Sequence, residues 1–179
     1  MNRSGPTAWF REKGGIPRVA LISGLLFVVS QVAIYLVIRE LPPEKLVALQ
    51  TTFSRAEFLS IIATWKMTGV LDSFKTHFYF DFFHPLWYSI FLASLMAMAF
   101  NLNKIAAKYN RLLIIPFLAG FLDLVENSVH VFLLHNIGAT TGTKIFVSAL
   151  AANLKWLLAG VGIVIVVVLL ARRVAAGRS

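Results

Sequence analysis

The chain has 179 residues, of which 58% are hydrophobic and only 14% charged, and its mean hydropathy is +0.76. Soluble domains sit nearer half apolar and a quarter charged, so this composition excludes an ordinary soluble domain and demands surface that faces lipid. A net charge of +9 would suit nucleic acid, but most of the excess lies in short segments flanking apolar runs, where anchoring at the cytoplasmic face of a membrane accounts for it, and no nucleic-acid partner is expected.

Four apolar runs have the length of a spanning helix, roughly 20 residues for the hydrocarbon core. The first is 19–38, interrupted only by Ser23, Gly24, Ser30 and Gln31, and closed by Arg39, Glu40, Pro42 and Pro43. Ile38-Arg39-Glu40-Leu41 offers no small-residue cleavage site, so this run reads as a retained anchor rather than a signal peptide. The others are 85–102, 112–134 and 145–171, the last terminated by Arg172 and Arg173. The expected fold is therefore all-α: one polytopic membrane domain, a bundle of four transmembrane helices. Between the first two spans, 44–80 reads as an extra amphipathic helical segment, lying on the outer membrane surface or capping the bundle. Within it Ser54-x-x-Glu57 has the form of a capping box before Phe58, Ile61, Ile62 and Trp65 on one helical face.

Basic residues set the orientation. Arg3, Arg11, Lys13 and Arg18 precede the first span; Lys104, Lys108 and Arg111 lie between the second and third; Arg172, Arg173 and Arg178 follow the fourth. Glu12 is the one acid in the segments that carry these ten basic residues. The remaining connections carry five basic and five acidic residues from Arg39 to Asp81, plus Lys144. The expectation is a multi-pass protein of the inner or plasma membrane with both termini cytoplasmic. Trp9 and Phe10 read as an interfacial anchor.

Ionisable side chains inside a span cost about 2.5–3.5 kcal/mol each at the helix centre, so they need a reason. Asp123 sits near the middle of the third span, and Glu126, Asn127 and His130 follow at spacings that put all four on one helical face. A second stripe, His77, Asp81, His84 and Tyr88, leads into the second span. Pro85 disfavours helical geometry at His84 and leaves the carbonyl of Asp81 without its usual donor, so a break is expected there. The fourth span brings Asn153 and Lys155, the latter at a depth matching Asp123 and Glu126, on a face that also carries Ser148, Ala151, Ala152, Ala159 and Gly162, small enough for close helix approach. An ion pair from Lys155 to Asp123 or Glu126 follows, with Gln31 of the first span at the same level. The competing reading makes Lys155 and Trp156 an interfacial anchor, which leaves the fourth span only about 24 Å long, short of a roughly 30 Å core.

Two stretches, Phe80-Asp81-Phe82-Phe83-His84-Pro85-Leu86-Trp87-Tyr88 and Phe121-Leu122-Asp123-Leu124-Val125-Glu126-Asn127, resemble signatures of a family of uncharacterised bacterial four-span integral membrane proteins. The resemblance implies a four-span membrane protein and brings no activity or cofactor with it. Size, span count and intramembrane acids are also similar, more loosely, to the sterol-isomerase-like proteins of the emopamil-binding superfamily, from which no residue role carries over.

Three functions compete. The first is a polar intramembrane cavity that binds or modifies a small lipid-like molecule, with Asp123 or Glu126 as acid/base, His130 and His84 shuttling protons, and Asp81, Tyr88, Asn127, Asn153, Lys155 and Gln31 as ligand-binding or network residues. The second is a metal or haem site on Asp81, His84, Glu126 and His130, since Asp81-x-x-His84 and Glu126-x-x-x-His130 each place two donors on one face. The third is proton-coupled transport, for which four spans would need a homo-oligomer, or a nonenzymatic assembly factor whose polar network only holds helices in register.

Overall fold

Prolines and apolar runs punctuate the chain as expected, and every regular element of the computed structural model, which describes residues 5–176, is helical. Arg3 and Arg178, counted above in the orientation argument, lie outside the described residues. The helices are α1 (Pro6–Lys13), α2 (Pro17–Ile38), α3 (Pro43–Thr51), α4 (Arg55–Met67), α5 (Leu71–Asp81), α6 (His84–Leu102), α7 (Ile115–His135) and α8 (Gly142–Ala176). Four stretches are long and apolar enough to cross a membrane: α2, α6, α7 with the 3₁₀ turns that precede it, and α8. Only 17% of the most apolar window of α2 and of α8 is buried, against 50% for α6, so most of the surface of α2 and α8 has no protein partner. The third span does not begin as an α-helix at Leu112. Residues Ala107–Ile114 form 3₁₀ turns, and α7 starts at Ile115 with Pro116 in its first turn, where the missing N–H costs nothing.

The chain divides into two compact units. One comprises Val29–Pro85 and Phe121–Lys155. Here the segment 44–80 resolves into α3, α4 and α5, whose inner faces bury Leu49, Phe58, Ile62, Trp65, Phe74 and Phe78 against Leu133, Leu134 and Ile145, so these helices cap the adjoining ends of α7 and α8. The capping box forms with one modification. Ser54 Oγ accepts from the Glu57 amide, but Glu57 reaches back through Thr52, whose hydroxyl donates to Glu57 Oε2 at 2.6 Å and accepts from the Ser54 amide. At its other end α4 stops at Gly69, whose φ of 79° suits glycine and lets the Val70 amide bond back to the Trp65 carbonyl. Arg55 Nε donates to the Thr140 carbonyl at 2.9 Å, tying α4 to the turn before α8.

The other unit comprises Met1–Val28, Leu86–Gly120 and Trp156–Ser179. Phe10 of α1 is not at a membrane anchor's exposed position: it packs edge-on to Phe117 with ring centres 5.3 Å apart, while Trp9 is left exposed. Arg11 reaches four acceptors, Asn101 Oδ1, Asn110 Oδ1 and the carbonyls of Phe100 and Ile105, at 2.7–3.0 Å. Asn103 Nδ2 donates to the Leu169 carbonyl of α8 at 3.0 Å. Gly162 permits the close approach of α6 to α8, since a Cβ there would lie 2.9 Å from Leu92.

Candidate functional site

The polar residues of α7 converge with those of α5, α8 and the ends of α2 and α6 inside the first of these units. Lys155 of α8 is buried, not an interfacial anchor. Its Nζ lies 2.6 Å from Asp123 Oδ1 and 2.6 Å from Glu126 Oε2, as the matching depths anticipate. Its neighbours allow this: Ser148, Ala151 and Ala152 are buried beside it on α8 and keep that face narrow enough for the lysine stem to reach α7.

Beyond the lysine, Glu126 turns its other oxygen toward His130, one helical turn on, with Oε1 3.7 Å from Nδ1. His130 Nε2 hydrogen-bonds Ser148 Oγ at 2.9 Å, and its ring stacks on Phe58 of the cap. A line of polar groups thus runs from Asp123 through Lys155, Glu126 and His130 to Ser148, with a 3.7 Å step between Glu126 and His130 that is longer than a hydrogen bond. Glu126 Oε1 within it and Asn127 Oδ1 beside it have no hydrogen-bond donor among the described residues, and both residues are fully buried. A buried acceptor left in this way costs about 1–3 kcal/mol, which natural sequences avoid unless the group has another task.

The second stripe is interrupted where Pro85 requires it. Asp81 ends α5, Phe82 and Phe83 make a turn, and His84 opens α6. His77 and Asp81 stay on one helical face, with His77 Nε2 3.7 Å from Asp81 Oδ2. His77 Nδ1 bonds to the Phe74 carbonyl, so it carries the hydrogen and leaves Nε2 as the acceptor in a neutral ring. Burial pushes His77 down to about 4. Burial, reinforced by the nearby Asp123 carboxylate, pushes Asp81 up to about 7. The two shifts agree in placing a proton on Asp81 rather than on His77, whose bare Nε2 lies 3.7 Å away, beyond hydrogen-bond reach. His84 Nδ1 pairs with Ser30 Oγ at 2.8 Å.

Two expected members, Gln31 and Asn153, stand elsewhere. Gln31 is exposed on α2, and its neighbour Ser30 supplies the polar group of that helix. Asn153 is exposed and donates to the carbonyls of Thr51 and Ala149, closing the end of α3. Tyr88 falls in the other unit, half-buried. Among the described residues no three His, Asp or Glu side chains are grouped to hold a metal ion, so Asp81, His84, Glu126 and His130 are not assembled as a ligand set. A cleft of about 300 Å³ in this unit is lined by cap residues, among them Glu40, Glu44, Lys45, Thr64 and Trp65. Ser30 and Ser148 were invisible as site members in the sequence, because serine is common both as a small packing residue and as a hydrogen-bonding one.

The fold and site define an all-helical protein with four helices apt for a membrane and a buried ionic centre in which Lys155 pairs with Asp123 and Glu126. Comparison with protein-family models, with curated proteins and with solved structures finds no match.

Proposed function

We propose that the chain is a multi-pass membrane protein, both termini on the cytoplasmic side, whose working part is an acid/base centre that binds and protonates or deprotonates a small lipid-like molecule. The large unpartnered apolar surface of α2 and α8 supports insertion, since surface of that extent is tolerated in lipid and not in water. The observation that carries the acid/base reading is the sharing of one lysine by two buried carboxylates, Asp123 and Glu126. One cation balances one carboxylate, so the trio is neutral only with a proton added to it. A shared, exchangeable proton in low dielectric is what acid/base work requires. Glu126 is the group from which it is delivered, because its Oε1 lacks a donor and faces His130. His130 and His84 each bond a serine hydroxyl, Ser148 and Ser30, and so have partners through which protons pass.

The test is mass spectrometry of lipids retained through purification in mild detergent, for the unmodified chain and for Glu126→Gln at equal membrane level and equal Tm. The unmodified chain is expected to retain or convert a lipid-like molecule, and the variant to lose that capacity. Undiminished retention and conversion in Glu126→Gln would sink the acid/base reading.

A purely structural role is favoured by one observation of its own: Lys155 ties α8 to α7 through two ion pairs. It leaves the donorless Glu126 Oε1 unexplained.

A further inference from the structure

The N-terminal tail, the connection between α6 and α7 and the end of α8 are far apart in sequence, yet side-chain bonds draw them together at one end of their unit. Arg11 does most of this, bonding at once to the end of α6, to the connection that follows and to Asn110. Its guanidinium also lies 5.7 Å from the centre of the Phe100 ring. Asn103 joins the same connection to α8 through the Leu169 carbonyl. Arg11 is consumed by these bonds, half-buried, and works as a clamp rather than as a free charge.

What the clamp gathers is basic and exposed. Lys13 and Arg18 come from the first segment, and Lys104, Lys108 and Arg111 from the second. Arg172 and Arg173 come from α8. Glu12 is the single acid there, and it is paired with Lys13 at 2.9 Å. Lys104 sharpens the point. It holds φ at 50° in the turn that ends α6, where the Ile105 amide bonds back to the Phe100 carbonyl at 2.9 Å. Glycine is the residue such a turn prefers, so a lysine here accepts backbone strain and keeps a charge at the surface. Trp9, exposed on α1 beside this cluster, is a side chain suited to the headgroup level.

We infer that this end of the unit is a preassembled binding face for the headgroups of anionic phospholipids, held in shape by Arg11. Charge complementarity selects the partner: seven exposed cations against one paired acid, set beside helices apt for a membrane, fit a layer of lipid phosphates. The inference rests on the membrane reading above but not on the acid/base centre.

The experiment compares thermal unfolding of the full chain in nanodiscs of zwitterionic phosphatidylcholine and in nanodiscs containing phosphatidylglycerol. The expected result is a higher Tm with phosphatidylglycerol, a difference that shrinks as NaCl is raised and is not reproduced by inorganic phosphate added to the zwitterionic discs. Lys104→Gln/Lys108→Gln/Arg111→Gln is expected to lose most of the difference, and Arg11→Gln part of it, while Lys66→Gln/Lys75→Gln on the cap keeps it. Native mass spectrometry of the unmodified chain in mixed lipid provides a readout independent of variant folding: phosphatidylglycerol should be enriched over phosphatidylcholine, by about fivefold for each effective surface charge. Equal Tm in the two discs with no enrichment overturns the inference and leaves the membrane reading standing. So does an equal loss in the cap variant, or a full effect from phosphate alone. A chain that does not incorporate into nanodiscs overturns both.

Discussion

The side-chain amide of Asn127 donates to the carbonyl oxygen of Asp81 at 3.2 Å, at the one place in that helical stretch where the residue four positions on, Pro85, has no N–H to offer. A break demanded by proline on one element is thus repaired by a polar side chain from the middle of α7, and the repair fixes Asp81 beside His77.

Removing the donor should therefore be costly and specifically rescuable. Asn127→Leu leaves a buried carbonyl unpaired and is expected to destabilise the protein by about 1–3 kcal/mol. Adding Pro85→Ala restores an N–H at position 85 and should recover part of the loss. Unfolding free energies of the two single variants and the double variant close the cycle. Strict additivity would contradict the assignment.

His77 and Asp81 should give opposite pH profiles. Asp81 is raised from 3.8 to about 7, so its contribution to stability is full below pH 3.8 and is lost as pH rises through about 7. His77 is lowered from 6.5 to about 4, so its contribution is present above pH 6.5 and is lost as pH falls through about 4. Between those limits the two offset one another. Relative to the unmodified chain, His77→Gln should grow less stable as pH rises from about 4 to 6.5, and Asp81→Asn more stable as pH rises from about 4 to 7. Tm measured across that range reads both slopes, and parallel curves for all three proteins would refute the two burial-driven shifts.

Lys155→Met strips two buried carboxylates of their shared cation and is expected to cost about 3–5 kcal/mol, as for other buried ion pairs broken on one side. Lys155→Met/Asp123→Asn/Glu126→Gln removes the charge imbalance and should regain most of that stability while remaining unable to act on the proposed lipid-like molecule. A triple variant that is both stable and fully active would leave the ionic centre without a function.

At the cap, Ser54→Ala should cost about 1 kcal/mol by removing the acceptor for the Glu57 amide. Thr52→Val should also weaken α4, because Glu57 reaches the Ser54 amide only through that hydroxyl. Amide hydrogen exchange in the first turn of α4 reports both, and unchanged protection in Thr52→Val would remove the relay.

Composition and periodicity alone determined the helical class, the four long apolar helices, the amphipathic α4, the break before Pro85 and the one-faced stripe of Asp123, Glu126, Asn127 and His130. These follow from local rules: run length, the 3.6-residue repeat and the missing N–H of proline act within a few residues of where they are written. Tertiary structure decided which polar groups meet. That His84 takes Ser30 while Gln31 turns outward depends on about 100° of helix rotation, which a uniformly apolar helix does not encode in its pattern. Asn153 closes α3 rather than joining Lys155 for the same reason: both are polar, and only the packed neighbours distinguish the faces. Arg11 looked like one more basic residue of a tail, and its clamp exists because four acceptors from distant parts of the chain converge on it. Pairings across tens of residues carry no short-range signature, and they are set by how the helices pack.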